Sequence, residues 1–412
     1  MQLTMSYRIL KITSFYKSFL KYFYNKYPDV ISLPYPEHYN AIMYQGHGWS
    51  DFFQKHFSEM GVEAYEIVHN ANYLQQSWAE ANNTSLDNIL LSQIKTINPD
   101  VLFFQDCISF TPDFFTSIRN TIPNVKLMLG HCCSPFSRHN LEAFSKLDFM
   151  LSCSPGFSEI FNRHGIKNYN FLHAFESEIL NRITIPIKRK NQVVFTGSFL
   201  KVSDSQFHDE RLKIVERIIN DNIPLELFAT IERDTNTSIL LKQIAYFTAV
   251  GFKNIGLNNL NNSIDVLKKS SFQNKMPRKS NYSKPFLKAI NSPVYGLDMF
   301  QSTANSTIAF NNHGGISGDY AANMRMFEVA GVGTLLLTDY KKNIDTIFVP
   351  DYEIVTYKNS EECISKMKWL VNNPEEAQKI ALAGQKRVLK DHSIKNRVEL
   401  IDEIIRENLI NK

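Results

Sequence analysis

Short, β-prone apolar runs alternate with segments of helical spacing through the first half of the chain. Residues 7–12, 63–68, 100–105, 125–129, 149–153 and 169–173 are predicted strands, each too short to be a buried helix. Between them, 50–60, 86–97 and 156–164 repeat apolar residues three and four apart and are predicted helices. Strands separated by helices at this interval build βαβ units, so the first half is expected to form one α/β domain with a parallel sheet.

The pattern breaks at 183–191, where a proline and a basic cluster precede a new strand, 192–196, that ends in Gly197 and Ser198. A helix at 209–220 and a strand at 225–228 open a second α/β domain. Its middle, about 231–292, is rich in Asn, Ser and Lys and reads as an inserted helical or irregular segment. The α/β pattern resumes with strands at 306–310 and 334–338. Toward the C-terminus, Asn373 ahead of Pro374, Glu375 and Glu376 reads as a helix start, and Ser393 is placed to cap a last helix over 394–409. The expected division is 1–185, 186–395 and a terminal helix, 396–412, packing back on the first domain. A chain of 412 residues exceeds what one core usually supports, in agreement with two domains.

Hydrophobic content of 43% and charged content of 21% belong to an ordinary globular protein. The net charge of +4 is too mild to imply nucleic acid as a partner. Its distribution is uneven: 266–293 holds no acid but includes Lys268, Lys269, Lys275, Arg278, Lys279, Lys284 and Lys288. That stretch reads either as a solvated loop or as a surface for anionic lipid or a phosphorylated acceptor. Residues 17–27, KSFLKYFYNKY, suit either a helix packed on its own domain or a membrane-surface helix. No apolar run approaches the ~18 residues of a membrane span. Five cysteines with no C-x-x-C pair suggest neither a disulfide framework nor a zinc site, and a reducing cytoplasm is expected, with possible peripheral contact at the inner membrane face.

The chemistry concentrates in residues 311–340, NNHGGISGDYAANMRMFEVAGVGTLLLTDY. A loop bearing His313, Gly314 and Gly315 lets backbone approach a phosphate with no Cβ in the way. A helix expected over 321–330 follows, then a buried strand. Arg325 and Glu328, three apart, share a face. They form either a plain ion pair or a nucleotide site, in which a carboxylate accepts two hydrogen bonds from vicinal ribose hydroxyls and a guanidinium neutralises a diphosphate. On the expected helix Glu328 lies near the C-terminus, an unfavourable place for a carboxylate without a partner.

Residues 323–340 resemble the donor-binding segment of GT-B glycosyltransferases, through the pattern R-x-F-E-x-x-G-x-G-x-x-L-x-T, and the resemblance continues to about residue 409. It implies two Rossmann-like domains facing a cleft, with a nucleotide-sugar held by the second domain and a glycan, lipid-linked or protein acceptor by the first. It also implies that Glu328 binds ribose and that Arg325, Lys201 or helix dipoles take the place of a cation, so that no metal or other cofactor is expected. Gly197, Ser198, His313, Gly314, Gly315 and Asn323 complete the expected donor site. Many retaining relatives carry another acid eight positions before the matching glutamate; here that position is Tyr320, and the stereochemical outcome stays open.

In the first domain, His131 directly follows the apolar part of the fourth strand, where ligands of parallel sheets gather. It is a candidate for orienting the transferred sugar, or a structural hydrogen-bonder. Its neighbours Cys132 and Cys133 read as buried cysteines, since strand neighbours point to opposite faces. The loop YQGHGWSD at 44–51 offers His47 and Asp51 near an acceptor hydroxyl, with Ser50 or Asp51 equally suited to cap the next helix. The expected function is transfer of a sugar to an acceptor hydroxyl, in surface polysaccharide or glycan synthesis. A nucleotide-sugar epimerase or hydrolase and a non-catalytic nucleotide-sugar-binding scaffold are the alternatives.

Overall fold

The computed structural model describes residues 6–134, 136–199, 208–231, 235–271, 276–277, 279, 282–315 and 318–411. Two six-stranded sheets, with all pairings parallel, account for the alternating pattern. The first contains β1 (Arg8–Thr13), β2 (Glu63–Val68), β3 (Val101–Phe104), β4 (Leu127–Cys132), β5 (Phe149–Ser152) and β6 (Asn168–Asn170), in the order β2-β1-β3-β4-β5-β6. The second contains β7 (Lys190–Phe199), β8 (Leu225–Ile231), β9 (Ile290–Asn291), β10 (Ser306–Phe310), β11 (Leu335–Asp339) and β12 (Val355–Tyr357), in the order β12-β11-β10-β7-β8-β9. That second order is the Rossmann arrangement, in which the chain builds outward from β7 on one side and then on the other. Central strands such as β3, β4 and β10 are buried along their whole length, as helices on both faces require.

Strand β7 runs past the expected end at residue 196. Gly197 and Ser198 pair with Ala229 and Thr230 of β8 instead of starting a turn. The reason is local: the Phe195 ring folds over Gly197, 2.8 Å from where a Cβ would stand, so the glycine makes room within the ladder. The insert between β8 and β9 is helical, with helices at Asn236–Asn254, Asn258–Ser263, Asp265–Ser271 and Lys284–Ala289. Helix Lys17–Lys26 buries Phe19, Phe23 and Tyr24, so it packs on its own domain and the membrane-surface reading of it is corrected.

The last helix, Ile394–Ile410, starts at a capping box made by Ser393 and Asn396. It returns to the first sheet, where Tyr7 donates to Asp402 at 2.6 Å and Lys167 to Asn408 at 2.7 Å. Asn373 does not cap the helix it precedes; its amide donates back to the Trp369 carbonyl at 2.8 Å. Among the described residues no helix is long and apolar enough to cross a membrane.

The cysteine reading needs a correction. Cys133 and Cys153 form a disulfide, and Cys107, Cys132 and Cys363 are free and buried. They stand 20 residues apart in sequence, but β4 and β5 pair with Cys132 opposite Ser152, so the residues just beyond each strand face each other. The reducing compartment inferred from unpaired cysteines loses its basis.

Candidate functional site

In each sheet two neighbouring strands continue in opposite directions, and a crevice opens beyond their carboxyl ends. In the second sheet these are β7 and β10. Arg211, third in the helix Asp209–Asn220, closes the base of this crevice. Its Nη1 donates to the Ser198 carbonyl at 2.9 Å and its Nη2 to the Asn312 carbonyl. Burial lowers its guanidinium to about 10. Helical spacing identified the helix but gave no signal that this arginine joins two strand ends. Lys201 lies outside the described residues.

The loop after β10 is held by its own side chains. Asn311 donates to Thr338 at 2.9 Å, and Asn312 donates to the Tyr357 hydroxyl at 2.9 Å while accepting from the Gly314 N–H at 3.0 Å. The His313 ring meets Asp339 at 2.7 Å through Nδ1, and its backbone N–H donates to the same carboxylate at 2.9 Å. Burial pushes the Asp339 carboxyl up, but the charge and hydrogen bonds of His313 outweigh it and hold it at about 2. His313 Nε2 is buried without a hydrogen-bond partner. Gly314 has φ +60°, a conformation glycine adopts without strain, and Gly315 is exposed beside it.

The following helix is Arg325–Gly331, shorter than expected. Asn323 explains its start: the side chain accepts from the Met326 N–H at 3.3 Å and donates to Asn311 at 2.9 Å, which ties the first turn to the β10 loop. Glu328 therefore lies in the first turn, where the helix dipole favours it, and not near the C-terminus as the longer helix implied. The Arg325–Glu328 ion pair forms at 2.9 Å. It borders a small pocket between the domains that Glu328 lines together with Gly46, Gly48, Phe175 and Phe300. Tyr320 crosses the cleft to donate to Glu159 at 3.0 Å.

On the first-domain side, Gly46 and Gly48 take φ +64° and +63° and carry His47 between them. The His47 ring stacks on Phe19 with centroids 4.0 Å apart and meets Tyr295 of the second domain edge-on at 5.9 Å. Burial, then the Arg325 charge, lower His47 to about 3, so its imidazole is neutral and weakly basic. Asp51 precedes the helix Phe52–Glu59 without capping it. Its carboxylate is 3.4 Å from Lys55, and its charge acts on the buried Lys11–Glu66 pair; it does not line the cleft pocket. In that buried pair, burial drives Glu66 up and Lys11 down.

His131, on β4, is 4% exposed, with Trp49 at 4.8 Å and His173 at 5.4 Å between ring centroids. Burial lowers it to about 4, and its Nε2 has no hydrogen-bond partner. His173, which sequence reasoning did not single out, sets Nε2 3.0 Å from Cys133 Sγ. Cys133, Cys153 and His173 bring their ligand atoms within 4.8 Å of one another, a geometry open to a metal ion only if the disulfide is reduced. The fold thus unites Glu328, Arg325, His47 and the glycine loop across one cleft, places His131 beside His173 in the first-domain interior, and leaves Asp51 aside.

Residues 269–403 match the family model described as Glycosyl transferase-like. No curated protein matches the chain. Among solved structures, an alpha-glucosyltransferase in complex with UDP-glucose and DNA is similar at TM-score 0.55 and 11% identity, covering 97% of this chain and 100% of that one. Anabaena HepE in complex with UDP-glucose is similar at 0.54 and 10%, covering 97% and 100%. Sucrose-phosphate synthase from Thermosynechococcus elongatus is similar at 0.53 and 8%, covering 98% and 100%. At such low identity the likeness establishes the fold, which is GT-B: two Rossmann-type domains across a cleft.

Proposed function

We propose that this GT-B-fold glycosyltransferase moves a sugar from a nucleotide-sugar held at the carboxyl ends of β7, β10 and β11 to an acceptor hydroxyl presented by the first domain. The observation that carries the reading is the position of Glu328: it belongs to the glycosyl transferase-like segment and lines a pocket shared with the Gly46–Gly48 loop of the other domain. A first-turn carboxylate already paired with Arg325 can exchange that partner for the two vicinal hydroxyls of a ribose, releasing the guanidinium toward the diphosphate. The β10 loop, tied to this helix through the Asn323–Asn311 hydrogen bond, contributes the glycine backbone and the unpartnered His313 Nε2. His131 and His173, kept neutral by burial in the first-domain interior, add no charge to the wall behind the cleft. His47 positions the acceptor by its stacked ring; at a pKa of about 3 it is a poor general base. Closure of the two domains excludes water from the activated sugar.

The complexes of similar fold with UDP-glucose make UDP-sugars the first donors to test. The acceptor class that fits a glycosyltransferase with a basic insert is a growing surface glycan or its lipid-linked precursor. No metal is assigned a role, and turnover is expected to survive treatment with a chelator; a divalent requirement that persists through chelator controls would overturn this.

A thermal-shift panel of UDP-, GDP-, dTDP-, ADP- and CMP-sugars without added metal tests the donor site, since a ligand of the folded state raises its stability by mass action. A shift for one nucleotide class, lost in Glu328→Ala, is expected. Nucleotide release that depends on added acceptor extract separates transfer from epimerisation or hydrolysis. Binding without any turnover would point to a scaffold instead.

A further inference from the structure

The insert between β8 and β9 carries a surface that the donor site does not use. Nine of the twenty-nine exposed large hydrophobic side chains among the described residues fall within residues 240–266. The helix Asn236–Asn254, capped by Thr235, turns Ala245 and Ala249 inward against the rest of the insert, where Asn261 donates to the Ala249 carbonyl at 2.9 Å. Its opposite face repeats Leu240, Ile244 and Phe247 at four- and three-residue spacing, and Phe247 is 60% exposed. Ile255 at 68% and Val266 at 59% continue the apolar surface beyond the helix end. An apolar face this dense is foreign to a water-facing element.

Charge identifies what covers it. Residues 236–293 contain nine basic side chains and one acid, Asp265. Two copies of this face placed against each other by a two-fold axis would oppose like charges. A bilayer with anionic headgroups satisfies both halves: acyl chains take the apolar face and the headgroups take the lysines. The helix is not apolar enough to span, so it lies in the interface plane. The insert also leaves the second sheet at the carboxyl end of β8, the same end from which the donor crevice opens.

We infer that the insert docks the protein on an anionic membrane surface through the Leu240, Ile244 and Phe247 face, with basic residues of the same insert, among them the exposed Lys253 and Lys268, meeting the headgroups. A cleft held beside the bilayer is suited to an acceptor anchored in lipid. The full chain is to be floated with vesicles of phosphatidylcholine, with and without phosphatidylglycerol. Flotation with the mixed vesicles alone, weakened by salt, is expected. Ile244→Glu with Phe247→Glu, and separately Lys253→Glu with Lys268→Glu, should each lower the bound fraction by about tenfold or more while leaving the melting temperature unchanged. No flotation, equal flotation on neutral vesicles, or variants that float like the parent chain would overturn the inference. A concentration-dependent dimer abolished by the apolar variant would overturn it in favour of a self-interface. Vesicle binding is read without turnover, so its failure leaves the donor site untouched.

Discussion

Glu328 and Asp339 are both carboxylates at the crevice proposed to hold the donor, and their surroundings give them different tasks. Glu328 faces one cation at the edge of a pocket, so it can change partners. Replacing it with alanine is expected to weaken nucleotide-sugar binding by ~2 to 3 kcal/mol, the loss of one or two charge-assisted hydrogen bonds. Titration calorimetry on the folded variant checks this, and unchanged affinity would reduce Arg325–Glu328 to an ion pair alone. Asp339 is committed to His313 and acts on stability. Its folded pKa of about 2 lies below the ordinary 3.8, so its contribution is present above pH ~4 and disappears as pH falls through 2. Asp339→Asn should therefore cost about 2 kcal/mol near neutrality and flatten the acid limb of a urea-melt series between pH 7 and 2. The sequence exposed Glu328, since its motif is local. It hid Arg211 and His173, whose partners lie across the fold, Asn312 at a separation of 101 residues and Cys133 at 40.

The helix Arg325–Gly331 shows how an element is set by what it packs on. Apolar spacing predicted a helix over 321–330, but Asn323 binds the β10 loop and delays the start. At its other end, a Cβ on Gly331 would stand 2.3 Å from the Phe175 ring of the first domain. Gly331→Ala is expected to cost about 1 to 3 kcal/mol and to loosen donor binding with it, because the overlap can only be relieved by moving the helix or the domain contact. Thermal melts and donor titration of the same variant separate the two effects. Ser393 was legible as a cap, and its loss should cost about 1 kcal/mol. Asn373 looked like a cap by residue type, but its side chain found the preceding helix first.

At the scale of the molecule, the last helix and the disulfide bind parts that are far apart in sequence. Tyr7 meets Asp402 across 395 residues, so the first strand and the last helix fold as one body. Closing the loop between Cys133 and Cys153, 20 residues apart, is worth about 3 kcal/mol through the unfolded chain. Melts with and without reductant should show a loss of that size, and no difference would mean that the thiols are unpaired in solution.

What the sequence determined by itself was local: the alternating strands and helices, the two α/β domains they imply, the loop–helix–strand unit with Arg325 and Glu328, and the basic insert. These follow from periodicity and residue chemistry within a few turns of chain. What only the tertiary structure decided was which residues meet. It decided that His47 stacks on Phe19 and loses its basicity, that Lys11 and Glu66 meet as a buried pair, that Cys133 pairs with Cys153, and that the insert leaves its apolar face bare. Burial, pKa and partner choice depend on the sheet order and the domain contact, and no local stretch of sequence contains either.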